Sequence, residues 1–229
     1  GDTSIPILYQ VDGIRDGGSF TTRRVVASQR DKAIFNTEIS FQVPEKGLSH
    51  QIDMPSCPGP EGLEDDSVRW DKMMLSRSEA SATKAARHRP SLRPMEIRSV
   101  VPIDYENPNY SEPEQKCWIK ANGSVAGLTA IDDQPIHHAI LAYASDFNLM
   151  GTSLLPHAVN IMNPKLQPAS LDHCIWFHDS FRVDEWLLYV MDSPVSSQAR
   201  GLNRGSFFSR DGRLVASTIQ EGLIRLRSD

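Results

Sequence analysis

Cysteine is scarce in this sequence, which has three among its 229 residues. Cys57, Cys117 and Cys174 are widely spaced and form no Cys-x-x-Cys pair. An odd number of isolated cysteines argues against a disulfide framework and favours a reducing, intracellular compartment.

Long apolar runs and an excess of basic residues are also absent. No run approaches the roughly 20 apolar residues that a membrane-spanning helix needs. There are 24 Lys and Arg against 29 Asp and Glu, a formal net charge of -5, whereas general nucleic-acid binders are more often basic. We therefore expect neither a membrane span nor a nucleic-acid partner.

The sequence lacks the motifs of two kinds of hydrolytic site. The Gly-x-Ser-x-Gly elbow of nucleophilic serine hydrolases does not occur. His173 and His178 would lie on opposite faces of a regular strand, and no Cys or carboxylate completes a zinc set at a suitable spacing. We expect no metal and no cofactor, and we expect His173 to be a structural histidine or one that supports a site from behind.

The residues that are present begin with short β-rich runs. Residues 7–11, 19–28 and 33–42 have the composition of strands, and the last two predict an antiparallel hairpin. The chain enters its first strand almost directly, so we expect residues 1–46 to be the C-terminal strands of a unit whose beginning is missing. Residues 47–94, rich in Pro, Gly and charge, are the predicted connector, with a possible helix within it over 64–81.

A second block, residues 95–229, has the pattern of a complete α+β unit. Apolar positions three or four apart predict a helix over 134–150 that Gly151 ends. One long helix wrapped by a curved antiparallel sheet would be apolar almost all round. The expected strands are residues 97–103, 116–122, 169–177, 186–192, 201–208 and 214–220.

A weak internal repeat links the two blocks. The turns Arg30–Asp31 and Arg210–Asp211 are each followed by a strand with matching apolar alternation. Such an echo indicates a duplicated β-unit. In this alignment Ser40 stands where the second copy has Gln220, so we expect the front copy to be non-catalytic scaffold.

Several segments together resemble the acyl-CoA thioesterase II family, which includes bacterial and peroxisomal long-chain enzymes with a double hot-dog fold. The resemblance implies an α+β double hot-dog, here with an incomplete first hot-dog because family members extend further upstream of GDTSIP. The matching segments are DGGSFTTRRVVASQ (16–29), PMEIRSV (94–100), LAYASDFNLMGTSLLPH (141–157), SLDHCIWFHDSF (170–181), DEWLLYV (184–190), SSQARGLNRGSFFSRDGRLVAST (196–218) and QEGLIR (220–225).

The family's catalytic residues are an Asp on the central helix, a Ser or Thr that opens the SLDH strand, and a Gln that opens QEG. By motif these are Asp146, Ser170 and Gln220. The resemblance implies hydrolysis of a fatty acyl-CoA thioester by a water held among them. The alternative is a catalytically impaired acyl-CoA-binding or interaction protein, because part of the first hot-dog is missing.

The chemistry is reasonable for these residue types. A thiol with a pKa of about 8.5 leaves readily as thiolate, so one carboxylate base can suffice without a paired general acid. Burial beside the helix would make Asp146 a stronger base. The Ser170 hydroxyl and the Gln220 amide can each donate and accept hydrogen bonds, which suits them to orient a water.

Three expectations concern what surrounds the site. Arg200 and Arg204 are candidates to bind the phosphates of coenzyme A, and the alternative is strand-face arginines paired with Asp or Glu. The family implies a peroxisomal or cytosolic location, although the last three residues are not of the peroxisomal Ser-Lys-Leu type. Hot-dog units commonly pair by joining sheets, so a homo-oligomer is also expected.

Overall fold

The computed structural model describes residues 1–75, 94–125 and 133–227. The chain divides into two compact units, Gly1–His50 and Gln51–Asp229. No helix in the described ranges is long and apolar enough to cross a membrane.

The first unit is a three-stranded antiparallel sheet in the order β1–β2–β3. Its strands are β1 (Leu8–Asp16), β2 (Phe20–Gln29) and β3 (Lys32–Gln42). The predicted hairpin is confirmed, and its turn residues Arg30 and Asp31 both have left-handed backbone, with φ of 48° and 60°. Two such residues make a turn whose twist matches that of the flanking strands.

The second unit combines two α-helices with a seven-stranded antiparallel sheet, so the predicted α+β class is confirmed. The sheet order is β4–β5–β8–β9–β10–β6, and β7 also pairs with β10. The elements are a 3-10 turn (Pro60–Gly62), α1 (Asp66–Leu75), β4 (Met95–Ser99), β5 (Glu114–Ala121), α2 (Gln134–Ala144), a 3-10 helix (Met150–His157), β6 (Leu166–Ser170), β7 (Cys174–Phe177), β8 (Leu187–Ser197), β9 (Arg200–Ser209) and β10 (Leu214–Leu226).

The main core lies between α2 and the inner face of this sheet. Leu141 and Ala144 of α2 are fully buried there, in one cluster with Tyr189 and Phe207. The sheet curls over this side of the helix, as predicted, and Tyr143 on the opposite side of the helix is 54% exposed. The sheet covers one stripe of the helix, as in an ordinary amphipathic helix.

The helix α2 also ends earlier than the apolar spacing predicts. Its last residue is Ala144, and residues 145–149 form a turn before the 3-10 helix, which contains Gly151. Asn148 has left-handed backbone with φ of 65°, a conformation that Asn tolerates better than most residues. Asp146 therefore lies in the turn beyond α2 and is exposed, and the expected burial within the helix is wrong.

The strand predicted over 169–177 is divided in two. β6 ends at Ser170 and β7 begins at Cys174, and both pair with β10. Ser170 is opposite Gly222 and Cys174 is opposite Ile219, so three residues on one side face two on the other. This one-residue excess is a β-bulge, which turns side chains away from regular alternation.

Residues 54–63 of the predicted connector pack on the outer face of the sheet. Trp118 donates its indole N–H to the carbonyl of Pro58 at 2.7 Å, and Met54, Cys57 and Leu63 pack on a second cluster around Trp118 and Leu188. The helix predicted over 64–81 is present as α1 from Asp66 to Leu75, and its predicted continuation lies outside the described residues.

The 3-10 helix can approach the sheet because Gly201 has no side chain. A Cβ at this position would come within 2.4 Å of Ser153 Oγ and 2.5 Å of Ser153 Cβ. We expect Gly201→Ala to destabilise the second unit by about 1–3 kcal/mol, the usual cost of overpacking. All four tryptophans lie in this unit, so urea unfolding followed by tryptophan fluorescence measures the change.

Gly62→Ala is the matched control for that substitution. A Cβ at Gly62 meets no atom within 4 Å, so its unfolding midpoint should stay close to the parent's. An equal midpoint for Gly201→Ala and Gly62→Ala would show that the 3-10 helix is free to shift away from β9.

Candidate active site

A cavity of about 440 Å³ opens beside the turn that follows α2. Two of the predicted site residues, Asp146 and Ser170, line its wall. Its apolar lining includes Trp70, Met73, Met95, Ile97, Leu154 and Leu155, and its acidic lining includes Asp65, Asp66, Asp104 and Glu106. The volume falls in the range of small-molecule sites.

Gln220 connects the predicted trio. It is fully buried on β10, and its side-chain amide nitrogen donates to Asp146 Oδ1 at 2.5 Å and to Ser170 Oγ at 3.2 Å. Ser170 is opposite Gly222 across the β6–β10 ladder, and Gln220 is two residues from Gly222 on the same face. Diagonal neighbours of this kind are within side-chain reach. The structure thus brings Asp146, Ser170 and Gln220 together.

The oxygen of the same amide is in a different situation. A carboxylate can only accept, so Asp146 requires that Gln220 present its nitrogen. Gln220 Oε1 then points into the protein, where it is buried and has no hydrogen-bond partner within the described ranges. Burying an unpaired carbonyl costs stability, and such sites often hold a water or serve a function.

The turn that carries Asp146 is held at Ser145. The phenol of Tyr189, fully buried and stacked on Phe207 with ring centroids 3.9 Å apart, donates to the Ser145 carbonyl at 2.7 Å. Burial raises the pKa of the Tyr189 phenol well above its usual value, which keeps it a donor. The Ser145 N–H also bonds to Leu141 O at 2.8 Å, so the residue before Asp146 is fixed to both sheet and helix.

His173, predicted to be structural or to support a site from behind, lies behind the trio and contacts Gln220. It lies in the bulge between β6 and β7, with Nε2 at 2.7 Å from Ser145 Oγ and Nδ1 at 3.3 Å from the amide nitrogen of Gln220. Burial lowers the pKa of the His173 imidazole, and the nearby carboxylates of Asp146 and Asp172 partly oppose that shift. His173 is therefore neutral near pH 7.

The regular alternation of side chains along a strand predicts the wrong faces for Ser170 and His173. In a regular strand Ser170 and His173, three residues apart, would point to opposite sides, but the bulge brings both to Gln220. Asp172 compensates for the lost ladder bond, because its carboxylate accepts the backbone N–H of Glu221 at 2.8 Å. The Asp of SLDH is thus a backbone partner within the bulge.

Arg200 and Arg204 each have a carboxylate partner. Arg200 is 3.2 Å from Glu221, and Arg204 binds Asp192 through two nitrogens, one of them at 2.9 Å. Both side chains are about half exposed. These contacts agree with the paired strand-face alternative, and contact with coenzyme A phosphates stays a prediction.

Two other histidines of this unit, His178 and His137, lie apart from the cluster or behind it. His178 bonds Ser217 Oγ at 2.9 Å on the exposed side of β7's end, and His137, buried in α2, accepts the backbone N–H of Val183. Among the residues that the structure describes, no three His, Cys, Asp or Glu side chains lie close enough to hold a metal ion.

The chain is similar to known acyl-CoA thioesterases. The sequence profile described as acyl-CoA thioesterase matches residues 93–223, which include the whole cluster. Acyl-coenzyme A thioesterase 8 of Mus musculus is 39% identical, with 99% of this chain and 70% of that protein aligned. Acyl-CoA thioesterase 2 of Haemophilus influenzae is 38% identical, over 98% of this chain and 76% of that protein.

Solved structures give the same result for the fold. The acyl-CoA thioesterase II of Mycobacterium marinum superposes with a TM-score of 0.76 at 34% identity, covering 100% of this chain and 77% of that one. A hot-dog protein from Alicyclobacillus acidocaldarius, 16% identical, superposes with a TM-score of 0.68. The predicted hot-dog fold is confirmed, and the chain belongs to the acyl-CoA thioesterase family of thioester hydrolases.

Proposed function

We propose that this protein hydrolyses fatty acyl-CoA to a free fatty acid and coenzyme A with a water activated by Asp146. The observation that carries the proposal is the cluster in which Gln220 donates to both Asp146 and Ser170 at the cavity wall. A carboxylate, a hydroxyl and an amide at one point are suited to hold a single water.

In this reaction Asp146 is the general base. It takes one proton from the water while the water oxygen bonds to the thioester carbon, and the carbon–sulfur bond then breaks to release thiolate. The thiolate is a good leaving group because thiols have a pKa of about 8.5. The exposure of Asp146 keeps the proton it receives in exchange with solvent.

Ser170 and Gln220 would position the attacking water. Ser170 Oγ accepts from Gln220, which leaves its own hydrogen free to bond the water or the substrate. Gln220 holds the Asp146 carboxylate by a short hydrogen bond, so the base points in one direction before the substrate arrives. Fixing both partners of a reaction lowers the entropic part of its barrier.

The lining of the cavity favours the acyl chain over the nucleotide part of the substrate. Its apolar side chains, such as Ile97, Leu154 and Leu155, suit a hydrocarbon. Its carboxylates Asp65 and Asp104 would repel the phosphates of coenzyme A. We therefore place the fatty acyl group along this cavity and the nucleotide outside it.

The direct test is release of coenzyme A from palmitoyl-CoA, followed with a thiol reagent. Steady turnover with more than one thiol released per protein molecule supports the proposal. Tight binding of palmitoyl-CoA without turnover would instead support the acyl-CoA-binding alternative and contradict hydrolysis.

Two replacements of Ser170 distinguish the contribution of its hydroxyl to kcat from that of its size. Ser170→Thr keeps the hydroxyl and should retain kcat within about threefold, whereas Ser170→Ala should lower kcat by about tenfold to a hundredfold because the water loses one partner. Steady-state kinetics on both variants measure the difference. Equal rates for the two variants would remove Ser170 from the proposed site.

An intracellular place of action is part of the proposal. The three cysteines Cys57, Cys117 and Cys174 all carry free thiols, as is usual in a reducing compartment. Cell fractionation with detection of the protein would test this location, and recovery from the oxidising extracellular medium would contradict it.

A further inference from the structure

The hydrogen bonds behind Gln220 form a directed chain. Gln220 must present its nitrogen to the Asp146 carboxylate, 2.5 Å away, because that carboxylate only accepts. The second hydrogen of the same nitrogen is then directed toward Ser170 Oγ at 3.2 Å and His173 Nδ1 at 3.3 Å. A ring nitrogen can accept this hydrogen only if it carries no proton of its own.

The other side of the imidazole is consistent with that requirement. Nε2 faces two hydroxyls, Ser145 Oγ at 2.7 Å and Thr218 Oγ1 at 3.2 Å. Both hydroxyls already donate to backbone carbonyls, Ser145 to Ala142 at 3.0 Å and Thr218 to Cys174 at 2.8 Å. They are therefore left as acceptors, and the proton of a neutral His173 belongs on Nε2.

We infer that His173 is a positioning residue that fixes the Gln220 amide through its unprotonated Nδ1, and so fixes the direction of Asp146. The inference rests on the proposed hydrolytic function for its consequence in catalysis. It assigns to the His of the SLDH motif a task distinct from that of the Ser, which faces the cavity.

The surroundings keep the imidazole in this form. The charged groups that act on it are Asp146, from the turn after α2, and Asp172, from its own bulge. The side chains facing it from β10 are Thr218 and Gln220, which carry no charge. Burial outweighs the two carboxylates and lowers the His173 pKa. A second proton would turn Nδ1 into a donor aimed at the Gln220 N–H.

Two amide replacements distinguish the two ring nitrogens. The substitution His173→Asn introduces a side chain too short to reach Ser145, but it puts an amide oxygen near the position of Nδ1 and preserves an acceptor for Gln220. His173→Gln puts its polar end near the position of Nε2 and leaves the Nδ1 position apolar. A purely structural role has no reason to favour the first substitution over the second.

The expected kinetics follow from that difference. With palmitoyl-CoA, His173→Gln and His173→Ala should lower kcat by about tenfold to a hundredfold with KM nearly unchanged, because the base and its water are misdirected. His173→Asn should stay within about threefold of the parent. His178→Asn, which removes an exposed histidine outside the cluster, is the matched control and should match the parent. Equal losses for His173→Asn and His173→Gln would overturn the inference.

A measurement that does not depend on activity separates this inference from the proposed function. Long-range proton–nitrogen NMR of the wild-type protein near neutral pH reports which ring nitrogen carries the proton, and His173→Asn identifies the signal. A neutral ring with its proton on Nε2 supports the inference even if palmitoyl-CoA is not hydrolysed. A proton on Nδ1, in the neutral or the charged ring, overturns it even if hydrolysis is fast.

Discussion

Asp146→Asn is expected to lower kcat for palmitoyl-CoA by about a thousandfold, within the range for loss of a general base. The asparagine keeps a side-chain oxygen, which can still accept the hydrogen bond that Gln220 donates to Asp146 in the parent. It loses only the ability to take a proton from water. Because Asp146 is exposed, the free energy of unfolding should change by less than about 0.5 kcal/mol.

Asp179→Asn is the matched control for this experiment. Asp179 is also an exposed carboxylate of the second unit, but it pairs with Arg213 and does not line the cavity. Its kcat should equal that of the parent, and a urea titration should show that both variants are folded. An Asp146→Asn protein that retains the parent's kcat would contradict the assignment of the base.

Gln220→Met is expected to lower kcat by about a hundredfold or more, because Asp146, Ser170 and His173 all lose the donor that joins them. Stability should respond differently. Methionine removes the buried oxygen that has no partner in the described ranges, and removing an unpaired polar group offsets the loss of the amide hydrogen bonds. The free energy of unfolding should therefore change by less than about 1 kcal/mol.

Gln167→Met provides the comparison on the same sheet. Gln167 lies on β6 opposite Arg225, away from the cavity, so the same chemical change there should leave kcat unaltered. A Gln220→Met protein that unfolds in the absence of urea would show that the amide is chiefly structural. One that keeps full activity would show that Asp146 needs no orientation by Gln220.

The resemblance to the family predicts three residues that the structure brings together, because each lies in a short motif that the family shares. Asp146 in YASD, Ser170 in SLDH and Gln220 in QEG are far apart along the chain, and spacing alone gives no reason to join them. The antiparallel pairing of β6 with β10 brings Ser170 and Gln220 together. The turn after α2 adds Asp146.

The apolar spacing wrongly predicts that Asp146 lies inside the helix, whereas it lies in the turn after α2. Ile140, Tyr143, Ala144 and Phe147 have helical spacing, and that pattern continues past Asp146 without a visible stop. The helix ends at Ala144 because tertiary contacts, including the bond from Tyr189 to the Ser145 carbonyl, stabilise a turn instead. An Asn at position 148 is only a weak sequence signal for the end of a helix, and its left-handed backbone is seen only in the structure.

The bulge before β7 could not be predicted from the sequence either, because strand patterns do not reveal an extra residue. Strand patterns assume a side-chain period of two, and a single extra residue changes the face of everything that follows it. Nothing in SLDHCIWF marks Leu171–His173 as irregular, since none of these residues is Gly or Pro. The role of His173 beside Gln220 therefore emerged only from the register of β6 and β7 on β10.

The central claim, that a water rather than a side chain attacks the thioester, is tested most directly by a single turnover in water labelled with heavy oxygen. Enzyme in excess over palmitoyl-CoA limits each protein molecule to one reaction. Attack by water should leave one labelled oxygen in the carboxylate of the released palmitate and no label in Asp146, as analysed by mass spectrometry of the digested protein. Unlabelled palmitate with heavy oxygen in the Asp146 carboxylate would contradict it, because Asp146 would then have attacked the thioester itself.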